Sequence, residues 1–236
     1  MTAPLAGRDD RLALMRDLRV APSILSADFA RLGSQVDEVV AAGARVIHVD
    51  VMDGHFVPPI TFGAVVVGAI ADRVHSAGAI IDVHLMIERP ERQIDDIVGA
   101  GADSVTIHVE ATPHLHYTLD AIRQAGATSA AALNPGTPAD ALAEVADETL
   151  DMALCMSVNP GWGNQQLIPA SLNKLQRMRA ALPDHVVLEV DGGVHRNTAP
   201  SVADAGANLL VTGSAVFGSD DPGAAYVKIV EAVGAS

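Results

Sequence analysis

His48, Asp50 and Met52 stand two residues apart in the run Val46-Ile47-His48-Val49-Asp50-Val51-Met52-Asp53-Gly54. Side chains alternate faces along a β-strand, so this spacing puts an imidazole, a carboxylate and a thioether on one face. Ile47, Val49 and Val51 take the other face. The pattern recurs with Asp82, His84 and Met86 in Ile81-Asp82-Val83-His84-Leu85-Met86. A further carboxylate, Asp191, ends the run Leu188-Glu189-Val190-Asp191 just before Gly192-Gly193. One Asp–His pair in an apolar strand is as readily a buried structural hydrogen bond as a functional one, because an unpaired buried carboxylate is too unfavourable to be casual. Three such strand ends in register favour chemistry. Two histidines and two carboxylates converging on one mouth would form an N/O donor set for one divalent metal ion, and Zn, Fe, Mn and Co all fit it.

Glycines suggest a second kind of chemistry. Gly161-Trp162-Gly163-Asn164, Gly192-Gly193 and Gly213-Ser214 follow the sixth, seventh and eighth apolar runs. Such turns, leading into helix N-termini, present backbone N–H groups to a dianion such as phosphate. Each pair alone is more often an ordinary turn; their agreement on adjacent late runs favours a phosphate site. Met52, Met86 and Met156 should reach the same mouth. Isolated methionines usually fill cores, but above two carboxylates they would exclude water. Cys155 has the opposite parity from Met156 and reads as buried and inert. His55, His108, His114, His116, His185 and His195 lack comparable partners and are assigned to surface or loops, with His108 the one whose position at a run's end sets it apart.

These residues need elements to position them. Eight short apolar runs are candidate strands: Val20–Leu25, Val46–Val51, Ile80–Met86, Ser104–Val109, Ser129–Leu133, Met152–Val158, Val186–Val190 and Leu209–Thr212. Helix-like segments between them include Arg31–Ala42, Arg89–Ala100, His116–Ala125, Ala139–Val145, Ser171–Ala181 and Thr198–Ala205. Strands alternating with helices imply βαβ units and a parallel sheet. Ala-Gly-Ala occurs at Gly43, Gly101, Gly126 and Gly206, each where a helix should stop and a strand follow. About eight units without a long linker favour one α/β domain, a closed (β/α)8 TIM barrel at residues 19–236, over an open doubly wound sheet. Residues 1–18 read as an N-terminal extension, a frayed tail or short helix at the barrel bottom with no chemistry of its own.

Composition narrows the partners. The 236 residues carry a formal net charge of −14, with 49% hydrophobic and 19% charged residues, enough for a large core. Nucleic acid is excluded as a partner, since neutralising phosphates needs clustered Lys and Arg. A small anionic substrate would have to be held by backbone N–H groups or a metal. The single cysteine permits no intramolecular disulfide, and no apolar stretch reaches a membrane span or a signal core, so a cytoplasmic location is expected. Lys174 and Lys228 are the only lysines and fall in helix-like segments, which disfavours a Schiff-base lyase or aldolase. A non-catalytic sugar-phosphate-binding protein is disfavoured because none of the four proposed ligands is lost.

Five motifs closely resemble the ribulose-phosphate 3-epimerase family: Ala21-Pro22-Ser23-Ile24-Leu25-Ser26-Ala27-Asp28, His48 to Pro58, Asp82 to Met86, Met156-Ser157-Val158-Asn159-Pro160-Gly161 and Glu189 to Gly193. The resemblance runs from Val20 to Phe217. It implies metal-dependent inversion at C3 of D-ribulose 5-phosphate to D-xylulose 5-phosphate in the pentose phosphate pathway, by a homo-oligomer. It implies Asp50 and Asp191 as paired acid and base, and both of them with His48 and His84 as metal ligands. Ser23 and His84 would lie near substrate, Met52, Met86 and Met156 would cap the reacting carbons, and Gly161, Trp162, Gly163, Asn164, Gly192, Gly193, Gly213 and Ser214 would hold the phosphate. Two departures touch the substrate rather than the chemistry. The loop reads Gly161-Trp162-Gly163-Asn164-Gln165-Gln166-Leu167 where the family has Gly-Phe-Gly-Gly-Gln, a basic residue and Phe, and Pro58-Pro59-Ile60-Thr61 lacks the Asn usual at the second Pro. Another ketose phosphate, a hexulose or tetrulose phosphate, is therefore the alternative substrate.

Overall fold

The computed structural model describes residues 7–147 and 149–235. The first six residues of the expected extension lie outside this range. Eight parallel strands form the centre: β1 (Arg19–Pro22), β2 (Val46–Met52), β3 (Ile80–Met86), β4 (Ser104–His108), β5 (Thr128–Leu133), β6 (Met152–Met156), β7 (Val187–Asp191) and β8 (Leu209–Thr212). Their order, β1-β8-β7-β6-β5-β4-β3-β2, is that of a barrel. A parallel bridge between Ser23 and His48 brings the β1 end onto β2 and completes the ring. The open doubly wound alternative has no such closure.

Nine helices surround the strands among the described residues: α1 (Arg8–Arg16), α2 (Leu32–Ala41), α3 (Ala64–Ser76), α4 (Ile94–Gly99), α5 (Leu115–Gln124), α6 (Ala170–Ala181), α7 (Ala199–Asp204), α8 (Ser214–Phe217) and α9 (Pro222–Val233). Ile47, Val49, Ile81, Val83, Leu85, Cys155, Leu188 and Val190 alternate outward and pack under them in one continuous apolar layer. The four Ala-Gly-Ala glycines all have positive φ, at 112°, 116°, 94° and 105° in chain order.

Several elements differ from the sequence reading for local reasons. β1 ends at Pro22 rather than Leu25, because the Ser23 hydroxyl accepts from the Leu25 N–H and starts a 3₁₀ turn at Ile24–Ser26. β6 ends at Met156 rather than Val158, where Ser157 Oγ donates to the carbonyls of Asp191 (2.8 Å) and Gly192 (2.6 Å) and turns the chain towards β7. The helix expected from Arg89 begins as a 3₁₀ turn at Pro90–Arg92 after a left-handed Arg89, φ 53°, and only α4 is α-helical. Ala139–Val145 is a 3₁₀ helix throughout. Helices α3 and α8 are not among the helix-like segments named from the sequence.

The barrel bottom is closed by α1. Leu12 and Met15 are buried against Val46, Ile80, Met152, Val187 and Leu209, the first residues of their strands. Arg8 pairs with Asp151, just ahead of β6. Met15 is fully buried, so Met15→Ala should lower unfolding free energy by about 2–5 kcal/mol. Urea titration measures this, and a loss under about 1 kcal/mol would mean the helix does not stopper the barrel.

Candidate active site

Parallel register builds the barrel mouth. His48 lies beside Asp82, Asp50 beside His84 and Met52 beside Met86 across β2 and β3. Met156 lies beside Asp191 across β6 and β7. All of these alternate away from the helices, into the barrel. His48 Nε2 lies 3.3 Å and His84 Nδ1 3.2 Å from Asp50 Oδ1, and His84 Nδ1 lies 3.9 Å from Asp191 Oδ2. Ser23 Oγ donates to the other Asp50 oxygen at 2.5 Å. His48, Asp50, His84 and Asp191 each offer one atom within 4.8 Å of the others. Sequence reasoning placed the same four residues together.

Below them sits a second polar layer. Asp82 Oδ2 is 2.7 Å from His48 Nδ1, and Glu189 Oε1 is 3.4 Å from the same nitrogen. Both acids are fully buried, and neither Glu189 oxygen makes a hydrogen bond. Burial, with the charge of Asp82, pushes Glu189 well above the usual carboxylate range. Burial, the largest single influence, would raise Asp82 too, but the hydrogen bond and charge of His48 with smaller neighbouring contributions together outweigh it and lower Asp82.

The upper carboxylates are driven in opposite directions. Burial, then the charge of Asp50, pushes Asp191 up to about 7. Burial opposes ionisation of Asp50 as well, but the charges and hydrogen bonds of His48 and His84 overcome it and hold Asp50 far below the usual range. Near neutral pH one carboxylate is ionised while its neighbour is partly protonated. Two acids split this way can serve as base and acid in one reaction.

The donor set fits a divalent cation. With Nδ1 of His48 bonded to Asp82, a neutral His48 turns its Nε2 lone pair towards Asp50 Oδ1. Lone pairs of Asp50, Asp191 and His84 Nδ1 meet it in the same small space. A shared hydrogen or a bound cation would satisfy these lone pairs. In the protein alone a proton on His48 would serve: burial lowers its pKa, but the charge and hydrogen bond of Asp50, the hydrogen bond of Asp82 and the nearby Glu189 carboxyl raise it well above its ordinary value. Two imidazoles and two carboxylates suit a borderline divalent ion better than Mg or Ca.

Above this floor opens a cavity of about 260 Å³. Its walls carry Ser23, Asp50, Met52, Met86, Met156 and Asp191, and its rim carries Gly161, Trp162, Gly163, Asn164, Gly192, Gly193, Gly213 and Ser214. His84, expected to touch substrate, lies fully buried beneath the cavity and not on its wall. Gly193 has φ 66°, and a Cβ there would sit 2.3 Å from the Leu167 backbone nitrogen, so the rim closes only around glycine. Asn164 has φ 60°, a conformation Asn tolerates. Trp162 is 56% exposed at the rim.

Sequence reasoning missed several neighbours. Ser26 and His195 line the cavity. His108 is fully buried, its ring centroid 4.9 Å from that of His84, and burial lowers its pKa to about 4. The signal was its parity with Ser104 and Thr106, which puts it on the inward face of β4. Cys155 is buried as expected, and burial pushes its thiol up to about 11. No helix among the described residues is long and apolar enough to cross a membrane.

Carboxylates and imidazoles at the C-terminal ends of parallel strands, over a helix-closed bottom, define an α/β barrel with a mouth suited to acid–base chemistry. Fold likeness alone extends to a solved tryptophan synthase structure from Mycobacterium tuberculosis, with TM-score 0.71, 16% identity and 99% of each chain covered. The chain belongs to the ribulose-phosphate 3-epimerase family, whose model, described as "Ribulose-phosphate 3 epimerase family", matches residues 19–217. It is 48% identical over 208 residues to ribulose-phosphate 3-epimerase of Bacillus subtilis (strain 168), covering 86% of this chain and 94% of that one. With the enzyme of the same name from Rhodobacter capsulatus it shares 47% over 224 residues, 94% of this chain and 96% of that one. The chain is accordingly an enzyme of the epimerase class.

Proposed function

We propose that this enzyme interconverts D-ribulose 5-phosphate and D-xylulose 5-phosphate, with Asp50 and Asp191 as the two proton-transfer groups. The observation that carries the proposal is the pair itself: two carboxylates lining one cavity from β2 and β7, pushed apart in acidity and both facing His84 Nδ1. Inverting C3 of a 2-ketose means taking a proton from one face and returning one to the other, through an enediolate. A single base would have to change faces; two carboxylates flanking the substrate need not. Asp50 begins ionised and takes the proton, Asp191 begins protonated and gives one, and the roles exchange in reverse.

His48, Asp50, His84 and Asp191 would hold one divalent ion, Zn, Fe, Mn or Co. When bound, such an ion acts as a Lewis acid, stabilising negative charge that develops on the substrate oxygens. The protein's own groups do the rest. Ser23 fixes the Asp50 carboxylate through its hydrogen bond. Met52, Met86 and Met156 exclude water over the reacting carbons. The rim from Gly161 to Asn164, with Gly192, Gly193, Gly213 and Ser214, would hold the phosphate by backbone N–H groups, using remote binding energy to fix orientation. A cytoplasmic, homo-oligomeric enzyme belongs to the same reading; exposed Phe29, Ile60 and Val65 leave apolar surface for a second copy.

Trp162 at the rim keeps a second substrate in view, a hexulose or tetrulose phosphate. Comparing kcat/KM of metal-loaded enzyme across the three sugars decides it. Ribulose 5-phosphate should exceed the others by at least about tenfold, since one carbon unit in a fitted pocket is worth roughly 1–3 kcal/mol. A hexulose or tetrulose phosphate turning over faster would overturn the substrate assignment.

A further inference from the structure

A hydrogen-bonded chain leaves the floor of the site and runs towards the surface. His84 Nε2 lies 2.8 Å from His108 Nε2, and His108 Nδ1 lies 3.2 Å from Glu110 Oε2. The imidazole planes are within 26° of parallel, and Phe56 packs 4.7 Å from the His108 ring. Glu110 Oε1 accepts from the Asn134 backbone N–H at 3.0 Å and from the Thr137 hydroxyl. Both histidines are fully buried, whereas the Glu110 side chain is 25% exposed.

The direction of this chain is set from its outer end. A carboxylate only accepts, so the His108 nitrogen facing Glu110 must carry the hydrogen. A neutral His108 then has its lone pair on Nε2, and the short contact to His84 Nε2 is satisfied only if His84 donates. That leaves the lone pair of His84 on Nδ1, the nitrogen facing Asp50 and Asp191. Without the chain, Asp50 Oδ1 at 3.2 Å would draw the hydrogen to Nδ1 instead. We propose that Glu110, acting through His108, is a positioning residue that holds His84 in the tautomer whose Nδ1 can ligate a divalent cation. The proposal rests on the metal reading above and extends it beyond the four ligands, as partners of a ligating imidazole fix its tautomer.

Glu110→Gln should reverse the chain with little change of shape. The Asn134 N–H can only donate, so the Gln oxygen must take the Oε1 position, which turns the amide NH₂ towards His108 Nδ1. His108 then carries its hydrogen on Nε2 and donates to His84, pushing the His84 hydrogen onto Nδ1. Glu110→Ala removes the acceptor without imposing the reverse. Histidine ¹⁵N spectra of metal-free protein read the tautomers directly, and competition with a chromophoric chelator reads Zn²⁺ affinity. The wild type should show Nε2–H on His84 and Nδ1–H on His108, with both exchanged in Glu110→Gln. Zinc should bind about 10–100-fold more weakly to the Gln variant than to the wild type, with the Ala variant in between. A wild-type His84 protonated on Nδ1, or a Gln variant binding zinc as well as the Ala variant does, overturns the proposal. The underlying metal reading fails separately, by a wild type that binds no divalent ion whatever its tautomers.

Discussion

Asp191→Asn should lower kcat by about 10²–10⁴-fold or more, and Asp50→Asn should do the same, because an amide neither takes nor returns the C3 proton. The two variants should differ in everything else. Asp50 accepts from Ser23 and lies against both His48 and His84, so its amide also disturbs the proposed ligand geometry. Asp191 stands 3.9 Å from His84 and its side chain is 18% exposed, so Asp191→Asn should unfold at close to the wild-type temperature. With one carboxylate left, each variant can still exchange the C3 proton on the face that carboxylate serves. Deuterium should therefore wash into a different epimer in each variant without inversion. Activity above about a tenth of wild type in either variant would remove that residue from proton transfer.

Removing the cation has the second large effect. Exhaustive chelation should reduce turnover below about 1% of the loaded enzyme, since electrostatic stabilisation of a developing oxyanion is worth several kcal/mol. Re-addition of Zn, Mn, Fe or Co should restore it. The melting temperature should rise with metal concentration as well, because an ion held at about 1,000 times its Kd stabilises the folded state by roughly 4 kcal/mol. Full activity in protein shown by elemental analysis to hold no divalent metal would reject the assignment of His48, Asp50, His84 and Asp191 as ligands.

His48, Asp50 and His84 could be read from the sequence because strand parity and parallel register act over short distances, whereas their grouping with Asp191 of β7 came from the family motifs. His48 and Asp50 sit on one strand, and the neighbouring strand repeats their alternation in the matching row. Groups brought in by tertiary contact were harder to see. His108 reaches His84 from 24 residues away, and Glu110 is useful only because a turn after β4 folds its carboxylate back on His108 and Asn134. Ser23 looked like strand; instead its hydroxyl ends β1 by accepting from Leu25, while its backbone bridges to β2 and its hydroxyl bonds to Asp50, two consequences of barrel closure that no local pattern carries. Apolar periodicity located the strands, and it failed where the backbone leaves α geometry, as at left-handed Arg89 and along the 3₁₀ stretch from Ala139. The N-terminal helix was open in the sequence between tail and stopper. Burial of Leu12 and Met15 among strand starts shows that it closes the barrel.

The central claim is that C3 of a ketose phosphate is inverted by two opposed carboxylates. Turnover of D-ribulose 5-phosphate by metal-loaded enzyme in D₂O, read by NMR at C3 of the product, tests it most directly. The first D-xylulose 5-phosphate formed should carry deuterium at C3, supplied by the acid opposite the base that removed the original proton. Product that retains the substrate's own proton at C3 would mean that one group carries it across, and would contradict the account.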